Sequence, residues 1–179
     1  MKVNGILTAY KYFNWIKLAG VWISGISLFG MMLFITSDVF LRNTAGNSIN
    51  GGFEIVQNYF MPIVVFPSLA YMYSSNVLPR MDLLIDRFHD KTKKLFILGM
   101  IVVELFIFVL MMVFTWEYAM EGLGRKMAFP AAGTLYPLYP LFFFIPAAFA
   151  LIIVENLFIL VRNLLEKEPS FLFKMERND

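Results

Sequence analysis

Apolar and polar positions fall in long blocks along this chain, and four of the apolar blocks are long enough to cross a lipid bilayer. They occupy residues 18–40, 53–78, 95–118 and 137–161. A hydrocarbon core of roughly 30 Å is crossed by about 20 mostly apolar residues of helix. Backbone N–H and C=O groups in lipid must be bonded within the segment or in a closed barrel, so runs of this length are predicted to be helices. The pattern predicts an all-α membrane protein: one domain, residues 1–179, with four transmembrane helices and a tail at 162–179.

Periodicity adds two shorter elements. In residues 1–17, Val3, Ile6, Leu7, Tyr10 and Phe13 recur at helical spacing, with Lys2, Asn4, Thr8 and Lys11 elsewhere on the wheel. This predicts an amphipathic helix lying along the membrane surface. After the second span, Arg80 to Phe88 sets Asp82 and Asp86 four residues apart, with Leu84 and Phe88 on another face. That segment reads as a second interfacial anchor, or as a docking edge.

Charge then orients the spans. The N-terminal segment, the loop after span two and the tail together hold twelve Lys and Arg residues, against Arg42, Arg125 and Lys126 in the other two loops. Short basic loops remain cytoplasmic. Both termini are therefore expected inside, with loops 41–52 and 119–136 outside, and Tyr136 and Tyr139 in an outer aromatic belt.

Composition narrows the chemistry. Hydrophobic residues make up 59% of the chain, more than a water-soluble domain of this size tolerates. A net charge of +2 gives no reason to expect a nucleic-acid partner. The chain has no cysteine, which removes disulfides, thiolate metal sites and cysteine nucleophiles. With His89 its only histidine, bis-histidine haem and paired carboxylate–histidine metal sites are excluded as well. No cofactor, metal or catalytic residue is expected, and a membrane enzyme is the weakest reading.

Polar residues inside the spans carry most of the remaining information, because an ionisable group there normally faces protein or water. Asp38 and Arg42 are one turn apart at the end of span one, and Glu54 opens span two on the same side. They are read either as one structural polar cluster or as three separate headgroup-level charges. Glu104 lies about ten residues into span three, or roughly 15 Å along the helix from Lys94. It is read as an interhelical or intersubunit hydrogen bond in preference to a proton carrier. Glu155 in span four is read in the same way, as a membrane-buried interhelical or intersubunit residue, about two turns from Arg162 and so able to snorkel partly towards the inner surface. Gly20, Ser24, Ser27 and Gly30 line one side of span one and form a candidate packing face. Pro62 and Pro67 predict a disturbed span two.

In their order and spacing these features resemble the small membrane subunit of tripartite ATP-independent periplasmic (TRAP) transporters. Asp38-Val39-Phe40-Leu41-Arg42 closes span one, Gly51-Gly52-Phe53-Glu54 opens span two, Arg80-Met81-Asp82-Leu83-Leu84 follows it, and Pro137 to Pro146 begin span four. Arg80 stands where that family commonly has histidine. The resemblance implies a bacterial or archaeal protein of the cytoplasmic (inner) membrane. It implies a heterodimer with a large multi-span subunit that moves organic acids (dicarboxylate, keto acid or sialic acid type) with sodium ions. A periplasmic binding protein would deliver the substrate. This chain would be the scaffold and lipid anchor, with Arg42, Asn47, Glu121, Arg125 and Lys126 offered for docking the binding protein. Arg80, Asp82, Tyr136 and Tyr139 would serve as interfacial anchors. The competing expectation is a self-sufficient proton-coupled exporter acting as a homodimer.

Overall fold

The computed structural model describes residues 2–75 and 90–165. Among the described residues, four helices are long and apolar enough to span a membrane. The first, α1, runs unbroken from Lys2 to Ala45. The second, α2, spans Gly52–Ser74, the third, α3, Asp90–Gly124, and the fourth, α4, Phe144–Leu165. Between α3 and α4 lies a small antiparallel hairpin, β1 (Ala128–Ala131) and β2 (Thr134–Pro137), followed by a 3-10 turn at Tyr139–Phe143.

Two elements differ from the sequence-based expectation. The N-terminal stretch 1–17 is not a separate surface helix, because α1 passes from it into the first span without a break. Nothing in that stretch forces a break: residues 2–45 contain no proline, and Lys17 finds an opposite charge inside the bundle. The hairpin was not anticipated. Its turn places Ala132 at φ 52 and Gly133 at φ 78, the pair of left-handed residues that a tight two-residue hairpin needs.

Helix α2 shows how a spanning helix tolerates two prolines. Proline lacks an N–H, and its ring crowds the carbonyl four residues earlier. Just ahead of Pro62 the helix widens into a π turn at Val56–Phe60, where the Met61 N–H reaches back to the Val56 carbonyl. The Asn58 amide donates to the Glu54 carbonyl within this wide turn, at 2.8 Å. At Pro67 the carbonyl left without its donor is that of Ile63. The hydroxyl of Ser24, from α1, donates to it at 3.3 Å.

The helices pack in the spatial order α1, α2, α4, α3. Ala70 and Tyr73 of α2, Ile97 and Ile101 of α3, and Ile152 and Ile159 of α4 form the buried apolar core. Helix α1 packs on α2 and meets α4 with its N-terminal third. Its inward positions recur as Tyr10, Phe13, Lys17, Gly20, Ser24, Ser27, Met31, Phe34 and Asp38, a continuous three-four spacing. Large apolar side chains on the other faces, among them Trp22, Phe29, Phe106 and Phe114, are exposed.

Candidate functional site

Three groups of residues join the helices, and they stand along the bundle rather than around one pocket. The first lies where the N-terminal third of α1 meets α4. Lys17 and Glu155 are fully buried, and the Lys17 Nζ donates to Glu155 Oε2 at 2.7 Å. The Tyr10 hydroxyl donates to the other carboxylate oxygen, also at 2.7 Å. The ammonium lies over the ring of Tyr10 at 4.8 Å and that of Phe13 at 5.2 Å, so its exposed faces are covered by aromatic π clouds. Phe158 packs edge-on against Tyr10. Glu155 thus makes an interhelical contact within this chain and does not reach towards the surface. It is held inside by a lysine that charge counting assigned to the cytoplasmic leaflet. A buried carboxylate and ammonium are each costly alone, and only their mutual pairing makes the site tenable.

The second group joins α2, α3 and α4. The Tyr73 hydroxyl lies within hydrogen-bond reach of Glu104 Oε2 and, at 2.8 Å, of Asn156 Oδ1. Tyr73 and Asn156 are buried and Glu104 is partly so. Glu104 thus makes an interhelical bond within this chain. Asn156, one residue from Glu155, leaves its Nδ2 buried without a hydrogen-bond partner.

The third group is the small-residue contact of α1 with α2. Gly20 lies so close to the carbonyl of Pro67 that a Cβ would overlap its oxygen. Ser24 follows one turn later with its bond to Ile63. Ser27 and Gly30 continue the stripe half-buried, and a Cβ on Gly30 would sit 3.4 Å from the Phe60 ring.

At the hairpin end, Asp38 accepts from the Ile49 N–H at 2.6 Å with one oxygen and pairs with Arg42 at 3.0 Å with the other. The first bond fixes the loop between α1 and α2. The second is an exposed pair one turn apart, a kind worth at most about 1 kcal/mol. Glu54 lines the same hollow of about 480 Å³ as Asp38 and Arg42, but among the described residues it makes no ion pair with Arg42. The expected three-membered cluster is thus a two-membered one. The reason is geometric, since Arg42 is committed to its own helix.

The hairpin closes this end. Gly51, at φ 74, packs against it so tightly that a Cβ would lie 2.7 Å from the Ala132 nitrogen. The Tyr59 hydroxyl donates to the Pro137 carbonyl at 2.7 Å, and Phe129 is buried between Tyr59 and Tyr136. Tyr139, half-buried, begins the 3-10 turn. Arg42, Asn47, Glu121, Arg125 and Lys126 are all exposed, with Arg125 paired to Glu121 at 2.7 Å. Arg80 and Asp82 lie outside the described residues.

Residues 31–166, or 136 of the 179, match a family model described as "Tripartite ATP-independent periplasmic transporters, DctQ component". No curated protein and no solved structure gives a match. The matched stretch starts inside α1, after Tyr10, Lys17, Gly20 and Ser24, and runs through the hairpin to the end of α4.

Proposed function

The chain belongs to the DctQ-component family, the small membrane subunit of tripartite ATP-independent periplasmic transporters, and from that premise we propose that it is the static scaffold of a sodium-coupled importer of organic acids. One observation carries the scaffold reading. Among the described residues, each ionisable side chain deep in the bundle is engaged with another helix: Lys17 with Glu155, and Glu104 with Tyr73. A carrier needs ionisable or polar groups lining a path for substrate or ion. Here they are used to hold helices together.

In this reading the exposed apolar flanks of α1 and α3 meet lipid and a large multi-span partner subunit, which moves the substrate. Both termini face the cytoplasm of a bacterial cell, and the hairpin end faces the periplasm. There Arg42, Asn47, Glu121, Arg125 and Lys126 offer short polar contacts to a substrate-binding protein. Tyr136 and Tyr139, with Arg80 and Asp82 at the opposite leaflet, anchor the scaffold at the two interfaces.

Deleting this chain is expected to abolish organic-acid uptake while the large subunit still reaches the membrane. Radiolabelled uptake in a deletion strain, with the large subunit followed by immunoblot, makes the test. Uptake at the wild-type rate without this chain would overturn the scaffold role.

A further inference from the structure

The hollow of about 480 Å³ between the facing ends of α1 and α2 carries both signs of charge above apolar walls. Helix α1 lines it with Phe34, Asp38 and Arg42 at successive turns, so its wall changes from apolar to acidic to basic. Those eight residues rise about 12 Å along the helix. The headgroup layer on one side of a bilayer is roughly 5–8 Å deep. At the end of two spanning helices, the hollow therefore crosses that layer and enters the hydrocarbon, where Phe34, Ile35 and Val56 line it.

The charges in it are unequally used. Asp38 is fully engaged, with one oxygen on the Ile49 N–H and the other on Arg42. Arg42 is not, because a guanidinium carries five N–H donors and its side chain is 66% exposed. Glu54 is half-buried, and among the described residues its carboxylate meets no cation. Side chains lean towards the N-terminus of their own helix. Since α1 and α2 run in opposite directions, Arg42 leans down into the hollow and Glu54 leans up into it. A cation with spare donors and a carboxylate without one thus face a single space, too far apart to pair directly. The complementary ligand joins an anion to an N–H-bearing cation by a short link and carries an apolar body below them.

We propose that this hollow binds one ethanolamine phospholipid from the leaflet at the hairpin end. Its phosphate sits on Arg42, its ammonium donates to Glu54, and its glycerol and first acyl carbons lie against Phe34, Ile35 and Val56. A glycerol headgroup has no cation for Glu54, and choline has no N–H to donate. A soluble phosphate monoester would leave the apolar wall uncovered. The site requires only that the helices span a membrane and does not depend on the transport reading. With lipid seated there, docking at this end falls to Asn47, Glu121, Arg125 and Lys126.

Native mass spectrometry of the full-length chain in non-ionic detergent tests this. The chain is offered ethanolamine, choline and glycerol phospholipids with identical acyl chains. One ethanolamine lipid should be retained per chain, about tenfold in preference to the glycerol lipid. Glu54→Gln should bring those two within about twofold, and Arg42→Gln should lower retention of all three by about tenfold. Arg125→Gln, at the same end but paired to Glu121 outside the hollow, should keep the wild-type pattern. Should either hollow variant fail to fold, the lipid series on the wild type decides alone. Equal retention of the three lipids by the wild type would overturn the proposal, as would an ethanolamine preference that survives in Glu54→Gln. Glycerophosphoethanolamine, the same headgroup without acyl chains, should not be retained, and retention equal to that of the lipid would overturn the membrane source.

Discussion

Glu155→Gln is expected to be the most damaging single substitution in the chain, lowering the stability of the bundle by about 3–5 kcal/mol. The side chain is nearly the same size, so packing is not what is lost. What is lost is the negative charge facing a fully buried Lys17, 2.7 Å away. The ammonium would then keep its 3.2 Å bond to the Tyr10 hydroxyl and the partial shelter of two aromatic rings, and neither these nor a cation–π contact of about 2 kcal/mol replaces an ion pair. Thermal unfolding in detergent, followed by helical circular dichroism, reads the loss. Replacing the whole unit by apolar residues, as Tyr10→Phe, Lys17→Met and Glu155→Met together, should recover most of it, because desolvation of both charges disappears along with their attraction. A Glu155→Gln protein that melts with the wild type would show that the pair does not hold α1 to α4.

Gly20→Val is expected to follow, at about 3 kcal/mol, the upper part of the range for overpacked contacts. Its Cβ would occupy the place of the Pro67 carbonyl oxygen, and backbone yields less readily than a side chain. Helices α1 and α2 would have to separate, drawing Ser24 away from the Ile63 carbonyl and leaving that carbonyl without a donor in the membrane. Gly25→Val is the matched control. It adds the same apolar bulk to the same helix, but a Cβ there meets nothing within 4 Å. Gly25→Val should behave as wild type in the same melt, and equal behaviour of the two variants would contradict the close contact.

The sequence already carried much of this arrangement. Four long apolar runs can only be helices in lipid, and the four helices are there. The small residues Gly20 and Ser24 were legible as a packing face because close helix approach needs small side chains. What they pack against was not, since it depends on which carbonyl Pro67 leaves free. Counting charges along segments does not tell a buried lysine from an exposed one, and Lys17 is buried against Glu155. Its stripe continues the packing face one turn at a time, from Ser24 through Gly20 to Lys17, Phe13 and Tyr10, and followed in that direction it points inward. The matching clue was Glu155, an opposite charge inside another apolar run. The hairpin left only a faint trace: Gly133 marks a turn, but four-residue strands carry too little alternation to stand out beside a Pro-rich helix start. Glu54 could not be separated from Asp38 and Arg42 by spacing, because only the loop fold decides which carboxylate the arginine reaches.

The claim that this chain is one part of a larger transporter is tested most directly by gentle detergent extraction of the tagged protein from its native membrane, with quantitative mass spectrometry of what co-purifies. A single larger multi-span chain at a constant one-to-one ratio is the expected result. A homodimer with no such partner, able to move substrate alone in liposomes, would contradict it.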